Sequence, residues 1–103
     1  MTKAKKKQDQ ISQILDERGS RYGSFATHAN ITMTLKLAIH QHIKDNAKED
    51  TITADMVEAL DMICHKIGRI VNGDPTYADS WIDIAGYAKL VSDRLQQEEA
   101  ERQ

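Results

Sequence analysis

The sequence contains one cysteine, Cys64, so no internal disulfide can form. Aromatic residues are scarce, with one Trp, one Phe and three Tyr, and aliphatic side chains and Met must supply most of the core. Lysines stand near the start, but no apolar segment follows them, which excludes the pattern of a secretory signal. No apolar run approaches the ~18 residues of a spanning helix, so membrane association is excluded and a cytoplasmic location is expected. A net charge of −2 supplies no field for wrapping an extended nucleic acid. HExxH, a glycine-rich loop ending in Gly-Lys-Ser/Thr and GxSxG are all missing, and with them the zinc-protease, P-loop and serine-hydrolase chemistries that they serve.

What remains is helical periodicity. The 103 residues fit one domain, and the pattern predicts an all-α fold, a compact bundle of about four helices over residues 7–98. Residues 1–6 read as a flexible basic arm and 99–103 as a frayed end. Lys3, Lys5, Lys6 and Lys7 can meet phosphates or an acidic partner, or simply remain solvated.

The first helix is expected from about Lys7 to Arg18, with Ile11, Ile14 and Leu15 as its apolar stripe and Gly19 just past its end. Ser24 can cap a second helix, Phe25 to Asp45, which is apolar over much of its surface. Thr53 caps a third, from Ala54 to about Val71. A turn through Asn72-Gly73-Asp74-Pro75 leads to a fourth, entered by the capping-box variant Thr76-Tyr77-Ala78-Asp79. The second and fourth helices carry more apolar surface than a four-helix monomer covers. This predicts a homodimer or a higher homo-oligomer.

The third helix reads as two-faced, with Met56, Leu60, Ile63, Cys64, Ile67, Ile70 and Val71 on one side. Glu58, Asp61, His65 and Arg69 fall on the other, with Lys66 on the flank. Taken alone, that polar side reads as a solvated face supported by an Asp61–His65 pair one turn apart. On the fourth helix Asp79 and Asp83 share a stripe that runs on into Gly86 and Leu90, while Trp81, Ile84, Ala88, Val91 and Leu95 cover the opposite side. Carboxylates held near a core need a compensating cation. If the two helices pack antiparallel, Glu58, Asp61, Asp79 and Asp83 can face one cleft and share a magnesium ion, which prefers oxygen ligands and substrate phosphates.

Cys64, inside an apolar pattern, reads as a small buried hydrophobe. His40 and His42, two apart on a helix, point away from each other and cannot chelate one ion. Gly19-Ser20-Arg21-Tyr22-Gly23, with Arg18 beside it, has two readings. It can clamp a phosphate or stack a base, or it is a helix-to-helix turn whose Tyr22 packs inward.

Three segments carry a resemblance. Asp16-Glu17-Arg18-Gly19-Ser20-Arg21-Tyr22-Gly23, the run from Glu58 to Ile70, and Gly73-Asp74-Pro75 followed by Asp79 to Ala88 resemble a small phage-associated helical domain family of unknown function. More distantly, the arrangement is similar to the all-α nucleoside triphosphate pyrophosphohydrolases, the MazG and dCTPase-like group. That likeness implies a MazG-like bundle in which Glu58, Asp61, Asp79 and Asp83 serve as catalytic residues and ligands of magnesium. It also implies a nucleotide ligand, with Lys66, Arg69 and Arg21 on phosphate and Tyr22 and Trp81 lining the base. Pyrophosphate would be released. Two departures stand out: no doubled Glu precedes the first acid pair, and the second pair is spaced four apart. Lys66 and Arg69 can also pair with the acids and leave no room for metal. A phage origin would place the protein in the host cytoplasm. The alternative function is a non-catalytic module that binds a host protein.

Overall fold

Two capped helix starts and two glycine-containing turns divide the chain into four helices in a computed structural model, which describes the backbone of residues 2–102 and the side chains of residues 9–102. The elements are α1 (Thr2–Tyr22), α2 (Phe25–Asp45), α3 (Ala54–Asn72) and α4 (Ala78–Arg102). The architecture is all-α, as the periodicity predicts, with no strand among the described residues. None of the helices is long and apolar enough to cross a membrane.

The start of α2 is as expected: the Ser24 side chain accepts the Thr27 amide, which satisfies one of the unpaired N–H groups of the first turn. The end of α1 is not. The helix continues through Gly19 to Tyr22, and Gly23, at φ +77°, makes the turn. The start of α4 also differs. Asp74 accepts from both the amide and the hydroxyl of Thr76, at 2.9 and 2.6 Å. The Asp79 carboxylate instead accepts from the Tyr77 hydroxyl at 3.0 Å, so the capping box does not form.

α3 is the centre of the fold. It packs against α4 on one side and α2 on the other, while α2 and α4 do not touch among the described residues. Both packings are antiparallel, as paired residues show. Lys66 meets Asp83 at 2.8 Å and Asp55 meets Arg94 at 2.5 Å across α3 and α4. His28 meets His65 at 3.2 Å and His40 meets Asp61 at 2.8 Å across α2 and α3.

The expected solvated face of α3 is therefore an interface. His65 pairs with α2 and not with Asp61, because α2 presents its own polar stripe to it. Gly68 sets the helix separation. A methyl group there would lie 2.5 Å from Thr32 Cγ2 and 3.0 Å from His28 Nδ1.

α1 is held by its C-terminal end. Residues 9–20 are all exposed, while Arg21, Tyr22 and Gly23 are half-buried, and the molecule extends to 66 × 30 × 27 Å. Two motifs meet at this anchor. Asn72 donates its side-chain amide to the carbonyls of Tyr22 and Ser24, at 2.8 and 2.9 Å, and the Asp74 amide donates to the Arg21 carbonyl. Gly23 lies against Asn72, and Gly73 lies against the backbone of Arg21 and Tyr22, with no space for a Cβ at either.

The surfaces of α2 and α4 keep apolar side chains that the chain itself does not cover. Phe25, Met33 and Leu37 on α2 and Trp81, Ile82 and Leu90 on α4 are exposed. α4 has α3 as its neighbour, and α2 has α3 and the end of α1.

Gly68 and Gly86 make a matched test. Gly68→Ala is expected to destabilise by about 1–3 kcal/mol by forcing α2 from α3. Gly86→Ala, with open space around it on α4, is expected to stabilise by about 0.5–1 kcal/mol through helix propensity. Urea denaturation of the two variants checks the pair, and effects of the same sign would contradict the close approach.

Candidate functional site

The four carboxylates read as a shared cation site do not converge. Asp61 on α3 bonds to His40, and Asp83 on α4 is paired with Lys66. Asp79 accepts from Tyr77, and Glu58 is exposed. Among the described residues, no group of three or more His, Cys, Asp or Glu side chains could hold a metal ion. The donor set among the described residues does not fit magnesium. The physical reason is the antiparallel register of α3 and α4. It sets Lys66 opposite Asp83, so an amine already held in the chain takes the place of an external cation.

Lys66 is thereby removed from the phosphate contacts, being buried at 9% exposure. Arg21 is also engaged elsewhere. It forms an ion pair with Glu17 at 2.8 Å, and its guanidinium lies 4.8 Å above the Tyr77 ring while donating to the Tyr77 hydroxyl. Trp81 donates to the Pro75 carbonyl at 2.9 Å and does not line the same space as Tyr22.

Arg69 and Tyr22 do come together. The Arg69 guanidinium sits 4.2 Å over the Tyr22 ring, a stacked arrangement in which the ring quadrupole attracts the cation. Tyr77 meets Tyr22 edge-on, with centroids 6.2 Å apart. Tyr22 and Arg69 form one wall of a cavity of about 510 Å³ where α1, α2 and α3 meet. Arg18, Leu15, Phe25, His28 and His65 complete its principal lining. The volume lies within the ~300–1,000 Å³ typical of small-molecule sites. Gly19, Gly23 and Ser24 contribute backbone at the turn, so the segment that reads either as a clamp or as a turn is a turn that lines a cavity.

Sequence reasoning missed His28, His65 and Phe25 as members of this site. The two imidazoles meet edge-to-face, with centroids 4.6 Å apart and His28 Nε2 3.2 Å from His65 Nδ1. Burial, with Arg69 next, pushes the His65 imidazole down to about 4, and His28, Lys66 and Lys36 add to the effect. Burial, followed by Arg69, also lowers His28. Both rings are therefore neutral near pH 7, and one must donate to the other.

His28 Nδ1 is buried against Gly68 without a hydrogen-bond partner. The Gly68 backbone beside the ring acts against that lowering of His28. His65 lines the cavity beside it. The Phe25 ring stacks over His28 and is 81% exposed. Cys64 takes no part: burial, with Asp61 next, pushes its thiol up, and only 2% of the residue is exposed.

The buried histidines give the stability a pH dependence. His65 titrates near 6.5 when unfolded and about 4 when folded, so the unfolded chain takes up the proton first. Stability is complete above the unfolded value and is lost as pH falls towards the folded one. Allowing for partial exposure, the loss is expected to be about 1–2 kcal/mol. Urea midpoints between pH ~7 and ~5, above the main carboxylate range, should fall for the native chain and fall less for His65→Gln. Parallel curves would contradict the assignment.

No curated protein and no solved structure matches the chain. The profile of the domain of unknown function DUF6378 matches residues 7–95. That span holds α2, α3, the α1 anchor, all of the cavity lining and residues 78–95 of α4. On this match the chain belongs to the DUF6378 family.

Proposed function

We propose that the protein is a binding module for a nucleotide-type ligand, a planar base carrying phosphate, held without metal in the cavity between α1, α2 and α3. The observation that carries this reading is the Arg69–Tyr22 stack in the cavity wall, with Arg18 in the same lining. Guanidinium groups bind phosphate oxygens through paired, charge-assisted hydrogen bonds. Phe25, largely exposed yet already stacked on His28, offers a flat apolar surface for a base. Stacking on such a ring contributes about 1–3 kcal/mol. The His65 imidazole, neutral near pH 7, supplies a polar group in the same lining.

Pyrophosphohydrolysis through Glu58, Asp61, Asp79 and Asp83 forms no part of this reading, because three of those acids already have partners within the chain. A ligand bound by arginine and aromatic groups needs neither magnesium nor turnover.

Calorimetric titration with nucleoside mono-, di- and triphosphates in the presence of a chelator tests the proposal. Binding is expected without magnesium. Arg69→Ala should weaken it about 10- to 100-fold, the value of a hydrogen bond to a charged group, and Phe25→Ala by a comparable factor. Trp81→Ala, outside the cavity, should leave affinity unchanged. No binding at millimolar nucleotide, or an Arg69→Ala variant that binds like the native chain, would overturn the proposal.

A further inference from the structure

The charge of the cavity lining limits how much phosphate it can hold. Two of its side chains are cationic, Arg18 and Arg69, and none is acidic. His28 and His65, in the same lining, are neutral near pH 7, because burial and then Arg69 hold both imidazoles down. The other charged groups nearby are committed elsewhere. Arg21 is taken by Glu17 and the Tyr77 ring, Lys66 by Asp83, and Asp61 by His40. Asp74 accepts from Thr76 and Asp79 from Tyr77. Lys36 also acts on both imidazoles. It stands two turns beyond His28 on α2, about 12 Å along the axis, and does not line the cavity. Asp16 is exposed and does not line it either.

The two arginines converge. Arg69 lies over the Tyr22 ring. Arg18 precedes Tyr22 by four residues on α1, so their side chains are neighbours on one helix face. Arg18 and Arg69 therefore flank the same ring, and a single phosphate group can reach both. Among the described residues neither guanidinium is paired with a carboxylate, although Arg69 is half-buried. Their donors are open to an anion.

A phosphate monoester carries about −1.5 to −2 charges near pH 7, which two guanidinium groups match. Each further phosphate in a chain adds negative charge, and the lining holds no third cation to meet it. Polyphosphates are commonly bound together with magnesium on carboxylates, and the lining contains no carboxylate.

We propose that the ligand is a nucleoside monophosphate, with its one phosphate held between Arg18 and Arg69 and its base against Phe25. The number of phosphates and the part played by Arg18 go beyond the nucleotide reading above, on which they rest. Arg18 supplies half of the charge that a single phosphate needs, and so sets the preference.

Calorimetric titration of the full chain with one nucleoside, its monophosphate and its triphosphate, each with and without magnesium, tests the assignment. The monophosphate should bind about 100-fold or more tightly than the nucleoside, the value of two hydrogen-bonded contacts to charged groups. The triphosphate should bind no more tightly than the monophosphate, and magnesium should improve neither. Arg18 is exposed, so Arg18→Ala keeps the fold. That variant should narrow the gap between monophosphate and nucleoside about tenfold while leaving nucleoside binding unchanged.

A triphosphate that binds about tenfold more tightly than the monophosphate, or that gains affinity from magnesium, would overturn the assignment and leave the nucleotide reading standing. Arg18→Ala with the native gap would do the same. A nucleoside that binds as well as its monophosphate, or no binding of any of them at millimolar concentration, would overturn both.

Discussion

Two turns of this chain lie backbone against backbone, and the remainder of the structure depends on that approach. Gly23 and Gly73 leave no Cβ between them and their neighbours, so Asn72 can reach two carbonyls of the α1–α2 turn at once. This contact ties the end of α1 to the end of α3, far apart in sequence. Without it, α1 would be attached to the bundle by little besides its covalent link. With it, Tyr22 is set beneath Arg69 and beside Tyr77, and the space between α1, α2 and α3 becomes a cavity with a fixed wall.

A second constraint is electrostatic. α3 is packed on both sides, and each side is matched by groups of complementary polarity. Towards α4 the matches are ion pairs, Lys66 with Asp83 and Asp55 with Arg94. The latter pairing, with Thr53 assisting, holds the Asp55 carboxyl down at about 2. Towards α2 the matches are imidazoles, His28 with His65 and His40 with Asp61. The acids that a metal would need are thus largely consumed in holding helices together, and the cationic groups at the cavity are the arginines of α1 and α3.

Much of this was legible from residue order alone. The helix count, the start of α2 behind Ser24 and the start of α3 behind Thr53 follow from caps and periodicity. The end of α1 did not follow, because Gly19 and Gly23 both suit a helix terminus and only tertiary contact with Asn72 chooses between them. The polar stripe Asp61, His65, Arg69 reads as solvated because hydrophobic periodicity cannot register a polar face that meets another polar face. The available signal was Gly68 on that same helix, a residue out of place unless something approaches closely. Tyr22 and Arg69 were recognisable as ligand-type residues. Phe25 was hidden because a phenylalanine at the start of an apolar helix reads as core. Lys66 was assigned to phosphate because its partner, Asp83, becomes its neighbour only through the register of α3 and α4.

The central claim is that the turn-to-turn anchor builds the cavity, and nuclear magnetic resonance addresses it most directly. In the native chain the Arg69 side-chain methylene protons should be shifted upfield by the Tyr22 ring, with contacts between the Tyr22 and Tyr77 rings. In Asn72→Ala those shifts and contacts should vanish while the contacts joining α2, α3 and α4 persist. Unchanged Arg69 and Tyr22 signals in that variant would contradict the account.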